Sequence, residues 1–262
     1  MMSQSKKVAL VTGAARGIGL ATATRFLEDG WQVAMLDILG DTLRSAVDAL
    51  HRPEDTLMLK ADVSDAQAVE LAVRQTHRVF GRVDALVNNA GIAVFKPILD
   101  TTVEEWKRVL DVNLTGPFLM TQAVAPIMRD QGRGAIVNIA SISGLRASTM
   151  RVAYGTSKAA LAHLTKQQAV EFSQYGIRVN AVAPGPVDTA MAKEVHTPAI
   201  RADYHDHIPL ARYGLEAELA NAICFLCSEQ AAYITGQVLA VDGGFDAAGV
   251  GLPTLRGERR NL

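Results

Sequence analysis

Cysteine, aromatic residues, long apolar runs and surplus charge are all scarce in this chain. Its 262 residues include two cysteines, Cys224 and Cys227 in NAICFLCSEQ, and no second pair. A redox or zinc reading of that C-x-x-C gives way to packing inside a helix, and so sparse a cysteine content fits a reducing, cytoplasmic compartment. No stretch reaches the length that spans a bilayer. The apolar run in MMSQSKKVALVTGAARGIG is too short for a signal peptide and passes straight into Thr12 and a glycine-rich turn. The formal net charge is -1, which gives no electrostatic basis for a nucleic-acid or membrane partner. Linkers, repeats and low-complexity tracts are missing as well, so residues 1–262 read as a single domain. Aromatic residues make up 5%, hydrophobic residues 49% and charged ones 20%, the balance of a soluble globular protein.

What the chain does have is rhythm. Short β-rich apolar runs recur at 7–12, 32–37, 56–61, 84–89, 134–140, 177–183 and 236–242, with helical patterns between them. That alternation predicts an α/β fold with one seven-stranded parallel sheet flanked by helices, doubly wound in the Rossmann manner. The strands read as apolar runs rather than strict alternation, which means cover on both faces. Two segments break the pattern: a polar insertion at 186–214, placed as a candidate substrate lid, and a tail at 245–262 that ends basic.

VTGAARGIG follows the first strand and opens a helix that runs to about Gly30. Gly13, Gly17 and Gly19 give the tight turn and the close backbone approach that a pyrophosphate needs, and the helix start offers free N–H groups. Asp37 closes the second strand about twenty positions later, where a carboxylate accepts from both adenosine ribose hydroxyls and repels a 2′-phosphate. It therefore argues for NAD over NADP, against Arg16 in the turn, which could greet that phosphate. Asp62 and Val63 follow the third strand and are placed to meet the adenine. NNAG, Asn88 to Gly91, ends the fourth strand and is either a plain turn or a surface for the ribose; the sequence alone leaves both open.

SISGLRASTMRVAYGTSK holds Ser141, Tyr154 and Lys158. Tyr154 and Lys158 are four apart in a helical pattern and share a face. An ammonium beside a phenol favours the phenolate, lowering a reference value of about 10 toward the working pH and giving a general acid–base. Ser141 ends the fifth strand, where its hydroxyl can hold a substrate oxygen. Asn113, in DVNLTGPF, is a poor helix former inside a helix, and a kink that orders a water beside Lys158 would explain it.

Together these motifs resemble the classical short-chain dehydrogenase/reductase family from Lys7 to about Phe245: T-G-x-x-x-G-x-G at Thr12 to Gly19, N-N-A-G at Asn88 to Gly91, Asn113, Ser141, Y-x-x-x-K at Tyr154 and Lys158, then Pro184–Gly185. The resemblance implies a nicotinamide cofactor, a homotetramer, and Asn113, Ser141, Tyr154 and Lys158 as a catalytic tetrad. It also implies that Ile18, Asn89, Ala90, Gly91, Pro184 and Gly185 join the cofactor site, that Lys158 holds the nicotinamide ribose, and that Val187 and Thr189 face the carboxamide.

Substrate contacts are expected from Ser141, Ser143, Arg151, Tyr154 and Gly185, with Val94, Phe95 and Pro184 nearby. The insertion carries His196, Arg201, Asp203, His205, Asp206 and His207. It suits a small polar secondary alcohol, a sugar or polyol, better than a steroid; H-x-H without a third ligand does not make a metal site. The alternatives are an NADPH-dependent 3-oxoacyl-carrier-protein reductase and a non-catalytic NAD-binding regulator.

Overall fold

Aliphatic runs form β1 (Val8–Thr12), β2 (Gln32–Asp37), β3 (Thr56–Lys60), β4 (Ala85–Asn88), β5 (Gly134–Ile139), β6 (Ile177–Pro184) and β7 (Val238–Val241). The computed structural model describes residues 6–249, so residues 250–262 of the tail lie outside them. All strand pairs are parallel, in the order β3-β2-β1-β4-β5-β6-β7. This is the sheet that the alternating runs predict. Parallel neighbours need crossovers, and the helices supply them. They are α1 (Gly17–Glu28), α2 (Gly40–Leu50), α3 (Ala66–Phe80), α4 (Val103–Leu110), α5 (Gly116–Gln131), α6 (Ile142–Leu145), α7 (Val152–Phe172), α8 (Ala190–Val195), α9 (Pro198–His207) and α10 (Glu216–Cys227).

Successive strand residues point to opposite faces, and both faces are dry. Ala9, Val11, Val33 and Met35 pack on one side with Phe26 and Leu27 of α1 and Leu219, Ile223 and Cys224 of α10. Leu10, Ala34, Leu36, Leu86 and Ile136 pack on the other with Val69 and Val73 of α3, Met120, Val124 and Met128 of α5, and Ala169 of α7. Two-sided burial is why the strands read as runs. Cys224 and Cys227 are buried and unpaired; burial pushes both thiols upward, Cys227 to about 12.

Polar ties fix helices to strands inside the second layer. Asn88 Nδ2 donates to Asn138 Oδ1 across β4 and β5 (2.8 Å) and to Thr121 of α5 (3.3 Å). Asn138 Nδ2 donates in turn to Thr165 (3.0 Å) and Gln168 (3.1 Å) of α7. The helix expected after β4 is interrupted: a π turn at Asp111–Thr115 joins α4 to α5. Its extra residue turns the Asn113 side chain inward, where it is buried.

The chain leaves β1 toward β2 and β3 on one side and returns to β4 on the other, so the loops after β1 and β4 diverge and open a crevice at the carboxyl edge. Over that edge the 186–214 insertion folds as α8 and α9, with a core of its own formed by Ala192, Ile208 and Tyr213, against which Tyr204 and Phe245 pack. The sequence marks this segment only as a polar insertion; its few apolar and aromatic anchors are what fold it into two helices.

A short β5–α6 corner holds the opposite rim against α7. A Cβ on Gly144 would lie 2.6 Å from the Lys158 carbonyl carbon and 2.8 Å from the Ala159 nitrogen. Gly144→Ala is therefore expected to cost about 1–3 kcal/mol, seen as a lower urea midpoint; an unchanged midpoint would mean that α6 is free to move away.

Candidate active site

β1 ends at Thr12, and the chain turns through Gly13 and Gly17, at φ 64° and 62°, before α1 begins. Glycine adopts those angles without strain. A Cβ on Gly19 would collide with the Gly13 carbonyl, so α1 can start hard against the turn. Arg16 sits at the N-cap with no side-chain capping bond, and the first turn holds no acidic residue. The free N–H groups and the positive dipole end of α1 therefore meet the cleft.

NNAG divides its two asparagines between different tasks. Asn88 faces the core, as above. Asn89 Nδ2 donates to the Thr12 and Gly13 carbonyls, both at 3.0 Å, and Thr12 Oγ1 accepts from the Asn89 and Ala90 amides, again at 3.0 Å. The turn after β4 thus clamps the glycine turn after β1.

These loops frame a cleft of about 510 Å³. Asp37, Asp62 and Val63 line one end; Gly13, Arg16, Gly17, Ile18 and the 89–91 loop line the middle. Ser141, Arg151, Tyr154, Lys158, Pro184, Gly185, Val187 and Thr189 line the other end. Four expected positions are not on its wall. Gly19 lies beneath the turn, and Asn113 stands behind Gly91. Val94 is not among the lining residues, whereas its neighbour Phe95 is. Ser143 faces the adjacent hollow formed by residues such as Lys96, Ser148 and Met150, because the turn of α6 carries it away from Ser141.

Ser141 caps α6: its Oγ accepts from Ser143 N at 3.1 Å and shares a hydrogen bond with Tyr154. Lys158, one turn along α7 from Tyr154, is buried, and its Nζ donates to the Ile139 carbonyl at 2.6 Å. The kink expected at Asn113 is present as the π turn. Its amide is engaged by protein groups: Oδ1 accepts from Ile92 N (2.8 Å), and Nδ2 donates to the Ile92 carbonyl (2.9 Å) and Ser157 Oγ (3.0 Å). Asn113 therefore braces the loop after Gly91 against α7.

Proximity to an ammonium is not what sets the acidity of the phenol here. Burial raises Tyr154 above its ordinary value, opposed by the Ser141 hydrogen bond and by the charge of Arg151. Lys158 Nζ lies 5.8 Å from the Tyr154 ring centroid, and burial pulls the ammonium from its ordinary 10.5 to about 8. Spacing shows that the two groups are neighbours, but only packing shows that both are desolvated, which works against both charged forms.

At the other end, both Asp37 oxygens are anchored, Oδ2 by Ala15 N and Oδ1 by Leu39 N, each at 3.0 Å. Asp62 is held by Ser64 and by Arg108, whose Nη2 donates to Oδ2 at 3.1 Å. Burial acts to raise its pKa, but these partners outweigh it and keep the carboxyl below its usual range. Arg108 lines the cleft and was not foreseen; an arginine on an amphipathic helix carries no signal of its own in sequence.

The insertion closes the far end with Ala192, Val195, His196 and Tyr204. Tyr204 was also missed, although an aromatic inside RADYHDH was the available clue. Its hydroxyl accepts from Arg151 Nη2 (3.3 Å), while Arg151 Nη1 donates to Ser143 Oγ (3.2 Å) and the guanidinium lies 5.1 Å from the Phe95 ring centroid. His196 Nδ1 is 2.9 Å from Tyr213 Oη; burial, then the charges of Arg151 and Arg201, lower its pKa. Arg201 pairs with Asp188 at 2.8 Å and does not line the cleft. His205 packs edge-on to Tyr213, and His207 Nδ1 lies 2.7 Å from the Asp203 carbonyl, so the two histidines serve different partners.

A family model described as enoyl-(acyl carrier protein) reductase matches residues 13–246. The 2-(R)-hydroxypropyl-CoM dehydrogenase of Xanthobacter autotrophicus is 44% identical over 247 residues, 92% of this chain and 99% of that protein. The 3-oxoacyl-[acyl-carrier-protein] reductase FabG of Thermotoga maritima is 40% identical over 91% of this chain and 97% of its own length. The NAD-dependent glycerol dehydrogenase of Listeria innocua is 38% identical, covering 91% and 93%.

Lys158 yields a prediction with a definite sign. Its folded pKa of about 8 lies below the ordinary 10.5, so between those values the unfolded chain binds more protons and stability rises with pH. Below about 8 the cost of burying the charge is fully present. Lys158→Met, without added nucleotide, should melt several degrees higher than the parent at pH 7 by calorimetry, and the gap should narrow toward pH 10. A lower, pH-independent melting point for the variant would contradict this.

Proposed function

This chain belongs to the classical short-chain dehydrogenase/reductase family, oxidoreductases acting on CH–OH groups, and on that premise we propose that it interconverts a secondary alcohol and its ketone with NAD(H), Tyr154 carrying the proton. One observation supports this above the rest: Ser141, Tyr154 and Lys158 meet on one wall of a cleft whose middle is the uncapped start of α1. The residues present fit a dinucleotide. The start of α1 would hold the pyrophosphate, and Asp37 and Asp62 the adenosine. The 89–91 loop, Lys158, Pro184, Gly185, Val187 and Thr189 would hold the nicotinamide half. When bound, that group supplies or accepts the hydride.

The chain's own part is positional and protonic. Ser141 Oγ holds the substrate oxygen beside Tyr154 Oη, and Tyr154 gives a proton to that oxygen in reduction or takes one in oxidation. The raised phenol starts as the acid, the form that serves reduction. Lys158 supplies fixed positive charge when the phenolate forms, and Asn113 keeps the loop after Gly91 in place. The 186–214 insertion acts as the lid of a single-domain, cytoplasmic subunit, assembled as a homotetramer.

NAD is favoured over NADP because Asp37 is fixed by two amides and each of its oxygens keeps a lone pair for a ribose hydroxyl. A phosphate there would meet that carboxylate, and Ile38 adds no cation. The polar wall of Arg151, His196 and Tyr204 suits a small polar alcohol, and one relative is a glycerol dehydrogenase. A second reading, an NADPH-dependent 3-oxoacyl-carrier-protein reductase, is favoured by the Thermotoga relative and by exposed Arg16. The third, a regulator without turnover, is favoured by no particular observation.

Tyr154→Phe should bind NADH nearly as the parent does, by fluorescence titration, while turnover falls about 10²–10⁴-fold; equal turnover would remove Tyr154 from its role. Asp37→Ala should lower the NAD:NADP ratio of kcat/KM at least about tenfold. If the parent already prefers NADP, the carrier-protein reductase reading takes precedence.

A further inference from the structure

We propose that the substrate carries an anionic group, a carboxylate, sulfonate or phosphate on a short arm, and that Arg151 receives it. This rests on the reading above, in which an alcohol meets Tyr154 in this cleft.

Charge is segregated along the cleft. The carboxylates on its wall, Asp37 and Asp62, both belong to the end remote from Tyr154. The Tyr154 end is lined by Arg151, Lys158 and His196 and, among the described residues, by no acid. Nearby Asp188 is occupied by Arg201 at 2.8 Å and Lys193 at 3.4 Å. Among the described residues no carboxylate lies within ion-pair distance of Arg151. A partly buried guanidinium without a counter-charge is costly, and a neutral polyol would not offset that cost, whereas an anion would.

The guanidinium is also held in readiness. Phe95 covers one face, and Ser143 and Tyr204 accept one N–H each, so among the described residues three of the five guanidinium N–H donors are left for a ligand. Because the Tyr204 hydroxyl accepts from Arg151, its own hydrogen is free to donate toward the same anion. Arg151 caps α7, and Tyr154 follows three residues later on the same side. Side chains so spaced start about 5–6 Å apart, so the anion and the reacting carbinol belong to one small molecule with a spacer of about two to four atoms.

The test compares 4-hydroxypentanoate and 5-hydroxyhexanoate with their primary amides, and with sulfonate and phosphate-ester analogues of equal spacer, following NADH formation in the parent, Arg151→Met and Arg151→Lys. The parent should prefer at least one anionic series over the amides by about 100-fold in kcat/KM, and the best series identifies the anion. In Arg151→Met that preference should collapse at least about thirtyfold, whatever loss both series share, with Arg151→Lys between. Equal use of acids and amides by the parent overturns the proposal. So does an equal loss on both in Arg151→Met, which would assign Arg151 to the Tyr154 proton instead. If no alcohol turns over, the oxidoreductase reading fails separately, and binding decides the anion site. Butanoate or propane-1-sulfonate should then raise the melting point of the parent and not of Arg151→Met; no shift in the parent overturns it.

Discussion

The hydrogen bond from the Lys158 ammonium to the Ile139 carbonyl ties α7 to the carboxyl end of β5, and the rest of the site is arranged around it. Ser141 follows Ile139 by two residues, so the same contact sets the distance between the serine and Tyr154. Gly144 permits the close approach by presenting no Cβ to the α7 backbone. Asn113 and Ser157 close the arrangement from the other side, joining the π turn to α7. A strand end, a helix, a π turn and a loop thus meet at one buried cation.

Burying that cation works against stability, and the surrounding core offsets it. Apolar layers on both sheet faces are tight and dry, and the Asn88–Asn138 ladder with Thr121, Thr165 and Gln168 locks α5 and α7 to the strands beneath. The rigid sheet lets the edge hold left-handed and uncapped features, among them the positive φ of Gly13 and Gly17 and the open start of α1. Such features cluster where a ligand is expected.

The two ends of the cleft are built differently. The end near Asp37 is made of strand ends and short turns whose polar atoms are fixed by backbone amides. The Tyr154 end borrows His196 and Tyr204 from an insertion with its own small aromatic core. Under the proposed function, recognition of the cofactor would sit on the sheet, and discrimination among substrates on α8, α9 and Arg151.

Much of this was legible in the order of residues, because local patterns report local geometry. Apolar runs marked the strands, glycine spacing marked the turn into α1, and the four-residue interval put Tyr154 and Lys158 on one face. What the chain order could not carry was contact between distant segments and the loss of water. Ser143 turning away from Ser141, Arg108 reaching Asp62, Tyr204 meeting Arg151 and the raised phenol of Tyr154 all depend on which surfaces pack together. Periodicity determines which side of an element a residue occupies; tertiary packing alone decides what lies opposite and how much solvent remains, and those two quantities set charge states and partners.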